Sequence, residues 1–119
     1  MAVATGSMKR NYLFKVAHEQ CDKEKVEVFQ LFGDNVVCGD DPRVVRPKPA
    51  PDIFLTAAVT LGKNVGLAEG DGDGVVTKEE KIERSKCLVF EDGIPGVQAA
   101  QRAGMQGRFP IPMSICTIN

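Results

Sequence analysis

Thr5, Lys48, Glu91 and Asp92 are the side chains in this sequence of 119 residues whose types and settings could together handle a phosphate. Thr5 opens the run Thr5-Gly6-Ser7: a hydroxyl, a residue that lets a ligand approach the backbone closely, and a second hydroxyl where a helix should begin. Backbone N–H groups and the positive end of a helix dipole favour a phosphate oxygen at such a place. Lys48 stands between Pro47 and Pro49, and the stiff flanking backbone would aim its ammonium at a fixed point. Glu91 and Asp92 are adjacent carboxylates followed by Gly93; they repel each other, and a hard cation such as Mg²⁺ is their natural partner. Each also has an ordinary structural role, as N-cap, solvated lysine, or acidic pair at a helix start. Their joint order along the chain is what favours chemistry.

Bringing these groups together requires elements that end on one rim. Residues 1–4 form an apolar run followed by a turn and a helix carrying Leu13, Phe14, Val16 and Ala17. A helical piece at 26–31 leads to the strand Asn35-Val36-Val37-Cys38, stopped by Gly39-Asp40-Asp41-Pro42. From Pro51, the spacing of Ile53, Phe54, Ala57, Ala58 and Leu61 predicts an amphipathic helix, with Gly62 just past its end. Residues 63–86, rich in Gly, Asp, Glu and Lys, read as an exposed insertion with a short helix from Thr77. Cys87-Leu88-Val89-Phe90 is a buried-type strand, and 94–103 a helix closed by Gly104. Three strand-to-helix units predict an α/β fold, a parallel sheet flanked by helices. In such a sheet ligands bind at the carboxyl ends of the strands, where Thr5, Lys48, Glu91 and Asp92 all fall. This core spans 1–105; residues 106–119, with Pro110 and Pro112, are poor strand material and read as an irregular tail.

With 43% apolar residues the chain suits one soluble domain. Fifteen basic residues against sixteen acidic ones, in no block of one sign, argue against a nucleic-acid or membrane-surface partner. No apolar run approaches the roughly 18 residues of a membrane span. The cysteines at 21, 38, 87 and 116 contain no Cys-x-x-Cys pair and read as reduced thiols, so the expected location is cytoplasmic.

Three strings carry a more specific signal: MAVATGS (1–7), GDDPRVVRPKPAPDIF (39–54) and CLVFEDGIPGVQAAQRAGM (87–105). They resemble the second, third and fourth motifs of the haloacid dehalogenase (HAD) hydrolases, in particular pseudouridine-5'-phosphatase-like and glycerol-phosphatase-like members. The resemblance implies a Rossmann-like core and Mg²⁺-dependent hydrolysis of a small phosphorylated metabolite. Thr5 would bind the transferring phosphoryl group, helped by the backbone of Gly6 and Ser7. Lys48 would neutralise its charge, and Asp92, supported by Glu91, would ligate Mg²⁺. In that family an Asp-x-Asp pair on a preceding strand attacks phosphorus and moves the proton, giving an aspartyl-phosphate that water hydrolyses.

No Asp-x-Asp precedes Thr5 here, and Pro47 stands where the family usually has glycine. The expectation is therefore a HAD core fragment that lacks the central nucleophile strand and the cap domain. It would expose two strand edges and turn over poorly by itself. The alternative is a non-catalytic remnant that binds phosphate or a partner. A third reading takes Glu69 to Glu80 as an EF-hand-like calcium loop, with an acidic solvated loop as the plainer account. Asp71 and Asp73 in that segment do not replace the lost pair, because no apolar strand precedes them. His18, the single histidine, is a helical residue without ligand partners at suitable spacing.

Overall fold

Strand and helix alternate along the chain as expected, in a computed structural model that describes residues 1–17, 23–66 and 75–109. The order is β1 (Val3–Thr5), α1 (Lys9–Ala17), α2 (Lys23–Gln30), β2 (Val36–Cys38), α3 (Asp52–Thr60), α4 (Lys78–Ser85), β3 (Leu88–Phe90), α5 (Ile94–Arg102) and β4 (Gln106–Arg108). The strands are parallel but form two pairs rather than one sheet: Val3 lies opposite Val36 in β1–β2, and Leu88 opposite Gln106 in β3–β4. Among the described residues β1 and β3 are not bonded to each other. Each has one paired edge.

Two helices join the pairs. α3 packs on β1 and β2, α5 on β3 and β4, and α3 and α5 pack on each other. The contact suits small side chains: Ala57, Ala58, Ala99, Ala100 and Ala103 are all buried beside Ile53, Leu55, Val37 and Val89. Seven consecutive residues of α3, Asp52 to Ala58, are buried, so this helix lies inside the molecule. Both helices end in one device. Gly62 (φ +75°) donates to Val59 O and Lys63 N–H to Ala58 O; Gly104 (φ +73°) donates to Gln101 O and Met105 N–H to Ala100 O. These are Schellman closures, and the left-handed backbone they need is open to glycine at no steric cost. The buried Met105 then starts the chain toward β4.

Three expectations need correction. Residues 106–108 were expected in an irregular tail, yet they form β4, because Gln106 N–H donates to Cys87 O at 3.0 Å and the prolines come only afterwards. β3 was expected to be buried on both faces, but Leu88 is 51% and Phe90 70% exposed, with only Val89 inside. Among the described residues its apolar run is covered on one side, where it meets α5. The segment 63–86 is not wholly an exposed insertion: Val65 is fully buried, and the buried Arg84 donates from Nε to Val65 O at 2.7 Å. Burial pulls the Arg84 guanidinium below its ordinary pKa. The helix expected from Thr77 is α4, held by a capping box in which Thr77 and Glu80 each take the other's backbone N–H.

By contrast α1 and α2 bury no side chain; they pack on each other through Tyr12 and Phe29, edge to face at 5.8 Å. No described helix is long and apolar enough to cross a membrane.

Candidate active site

At the carboxyl end of β1 the backbone is drawn against the end of β2. Gly39 N–H donates to Ser7 O at 3.0 Å, and a Cβ on Gly39 would collide with the carbonyl oxygen of Gly6. Glycine at 39 is thus what lets the Thr5-Gly6-Ser7 turn settle there. The Thr5 hydroxyl accepts the Ser7 N–H at 3.2 Å. The start of α1, expected to face a phosphate, already has an internal anion: Asp40 Oδ1 accepts the Lys9 N–H at 2.8 Å.

Lys48 sits in the tight turn that delivers the chain from β2 to α3. Ala50 N–H donates to Pro47 O at 2.9 Å, and the Lys48–Pro49 peptide bond is cis. Arg46 and Asp52 flank this turn. Asp52 is 5% exposed, and its carboxylate accepts Arg46 N–H at 2.9 Å, Arg46 Nε at 3.2 Å and Arg46 Nη2 at 2.8 Å. From the opposite side Arg102 of α5 donates to Pro49 O at 3.1 Å. The Lys48 ammonium lies 5.0 Å from the centre of the Phe54 ring and pairs with the Glu91 carboxylate.

Glu91 continues the β3–β4 ladder, donating its N–H to Arg108 O at 3.1 Å. Its side chain lies against the first turn of α5, where a Cβ on Gly96 would overlap the carboxylate. The helix dipole favours an anion there. Asp92 is exposed beside it. A cleft of about 450 Å³ opens between the ends of β1 and β3, lined by Ala4, Thr5 and Gly6 on one side, by Phe90, Glu91 and Asp92 on the other, and by Lys48. Ser7 adjoins this cleft without lining it. Five of the six residues singled out in the sequence therefore meet in one place.

Glu91 and Asp92 are hard oxygen donors of the kind Mg²⁺ takes, and Mg²⁺ commonly rests on one or two carboxylates with water and substrate oxygens completing its shell. Among the described residues no three His, Cys, Asp or Glu side chains gather as a ready-made metal cage. The pair thus fits an open, substrate-completed site rather than a closed one.

His18, Cys21, Cys116 and the first half of the Glu69–Glu80 loop, residues 69–74, lie outside the described residues. Glu80, the ligand that a calcium loop would need last, is engaged with Thr77. Cys38 and Cys87 are free thiols. Burial pushes both up in pKa, with Asp40 adding to the effect at Cys38, so neither is an activated nucleophile.

Sequence reasoning missed three contributors. Gly96 left a signal, since a glycine inside a helix is costly without a packing reason. Asp40 looked like one more turn residue. The Arg46–Asp52 pair spans six positions across a proline-rich turn, a spacing that belongs to no helix or strand period.

A family model described as haloacid dehalogenase-like hydrolase matches residues 1–104. The (DL)-glycerol-3-phosphatase 2 of Arabidopsis thaliana is 37% identical over 105 residues, 88% of this chain and 34% of that protein. A probable pseudouridine-5'-phosphatase of Saccharomyces cerevisiae is 35% identical over 106 residues, 87% of this chain and 36% of its own length. One of Drosophila melanogaster is 45% identical over 80 residues, 67% of this chain and 27% of its own. The chain thus spans only about a quarter to a third of the length of these relatives.

Proposed function

Because the chain belongs to the haloacid dehalogenase-like hydrolases, we propose that its cleft holds the phosphoryl group of a small phosphomonoester, of the kind named for its glycerol-phosphatase and pseudouridine-phosphatase relatives. The observation that supports this reading is convergence: Thr5, Gly6, Lys48, Glu91 and Asp92 come from three separate stretches of chain and border one cavity. In it Lys48 neutralises phosphoryl charge, while the Thr5 hydroxyl and Gly6 backbone orient its oxygens. Asp92, with Glu91, would hold Mg²⁺, which supplies further charge stabilisation when bound. Glu91 must then exchange its lysine partner for the metal.

This reading gives both carboxylates of the cleft, Glu91 and Asp92, to the cation, and so assigns neither of them as the attacking group. By the family resemblance, a strand bearing that aspartate would lie between β1 and β3, along their open edges. We therefore assign these 119 residues by themselves to phosphate binding without turnover.

Two measurements test this. Inorganic phosphate titrated into the 119-residue protein and followed by amide NMR shifts should bind in the cleft, with Lys48→Met weakening it about tenfold, as expected for a charge-assisted hydrogen bond. Binding indifferent to Lys48 would sink the assignment. Hydrolysis of p-nitrophenyl phosphate with Mg²⁺ should stay at background; turnover abolished by Asp92→Ala would refute the claim of binding alone.

A further inference from the structure

We propose that Asp52 and Arg46 form a positioning clamp for Lys48, closing the turn so that its ammonium points into the cleft. The inference rests on Lys48 being the phosphate-binding lysine. Arg46 and Asp52 stand at the two feet of the turn that carries Lys48. Four hydrogen bonds join them, one from the Arg46 backbone and three from its guanidinium, with Nε shared between the two oxygens of the one carboxylate. The backbone bond matters most for aim, since it fixes where the chain enters the turn. The other foot is immobile, because Asp52 is the first residue of α3 and begins its buried stretch. That position also favours a carboxylate, which meets the positive end of the helix dipole. Phe54, two residues further along α3, provides the ring beneath the Lys48 ammonium. One helix thus fixes both the base of the turn and the track of the side chain.

The chemistry of the clamp is specific to a carboxylate. Oδ2 receives the backbone N–H and a longer bond from Nε, while Oδ1 receives Nε and Nη2, so both oxygens must accept. Asp52→Asn keeps the shape but turns one acceptor into a donor facing Arg46. Arg46→Lys keeps the charge and the backbone bond but loses the fork.

The test is a double-mutant cycle on phosphate affinity, with amide NMR shifts as the readout and urea midpoints recorded in parallel. Asp52→Asn should weaken phosphate binding about fivefold, the scale of coupling within one hydrogen-bonded network, and should add nothing in a Lys48→Met background. Arg46→Lys should shift affinity in the same direction by less, and it carries the same cycle if Asp52→Asn fails to fold. Losses that multiply with that of Lys48→Met would overturn the clamp. So would a variant that lowers the urea midpoint but binds phosphate unchanged, since it would make the pair merely structural. Lys48→Met without effect would instead refute the assignment of the cleft itself, so the two failures are distinguishable.

Discussion

The seam between α3 and α5 and the cleft beside it join the same two halves of the molecule in opposite ways. The seam is made of alanines and branched aliphatics with almost no exposure, and its strength is the removal of apolar surface from water. The cleft is bordered by a hydroxyl, an ammonium and two carboxylates, with the exposed Phe90 at its lip. Among the described residues the Lys48–Glu91 pair links the halves directly there. A seam that closes leaves the strand edges of β1 and β3 free to stay apart. The halves therefore do not depend on the cleft for their attachment, and polar groups in it can exchange partners.

This contrast breaks first at the seam. Leu55 is fully buried in α3, and Leu55→Ala should lower stability by about 2–5 kcal/mol, through lost burial plus the cavity left behind. Urea denaturation measures it, and a loss under about 1 kcal/mol would mean that the seam is not what joins the halves. Gly39 comes second. A methyl there meets Gly6 backbone, which cannot swing aside as a side chain can, so Gly39→Ala should cost about 1–3 kcal/mol and displace the Thr5-Gly6 turn. An unchanged midpoint together with unshifted Thr5 and Gly6 amide resonances would refute the close approach. Thr77→Ala, in the capping box of α4, should cost about 1 kcal/mol while leaving the cleft resonances in place.

The seam and the cleft were not equally legible in the sequence. α3 and α5 declare themselves through Pro51, the apolar spacing of Ile53 to Leu61, and the glycines at 62 and 104, all of them local signals. The cleft residues were found as well, because strand ends in a parallel fold converge and motif residues sit on them. The division of the sheet into two pairs was foreseen only through the family resemblance, as a missing central strand. What local pattern could not reveal depends on partners distant in sequence. β4 exists because Gln106 reaches Cys87, Asp40 caps a helix that begins 31 positions earlier, and Arg46 meets Asp52 across a turn. The exposure of Leu88 and Phe90 escaped for a related reason: an apolar strand implies two covered faces only if helices lie on both.

The smallest effect tests the open side. Phe90 is a large aromatic in a strand, and in a closed sheet Phe90→Ser would cost about 3–5 kcal/mol. At 70% exposure it has little burial to lose, so the change should fall within about 0.5 kcal/mol of zero in the same urea experiment. The neighbouring Val89, whose side chain faces the core, is the internal control: Val89→Ser should be far more damaging although it lies one residue away. Period-two alternation puts the two on opposite faces of one strand. Equal losses at 89 and 90 would mean that β3 is covered on both sides in solution, by a second copy or by another segment of chain, and that the cleft is narrower than it stands here. A large loss at 89 alone would locate the single covered face where α5 packs, and leave the edge of β3 next to β1 as open as the chemistry of the cleft requires.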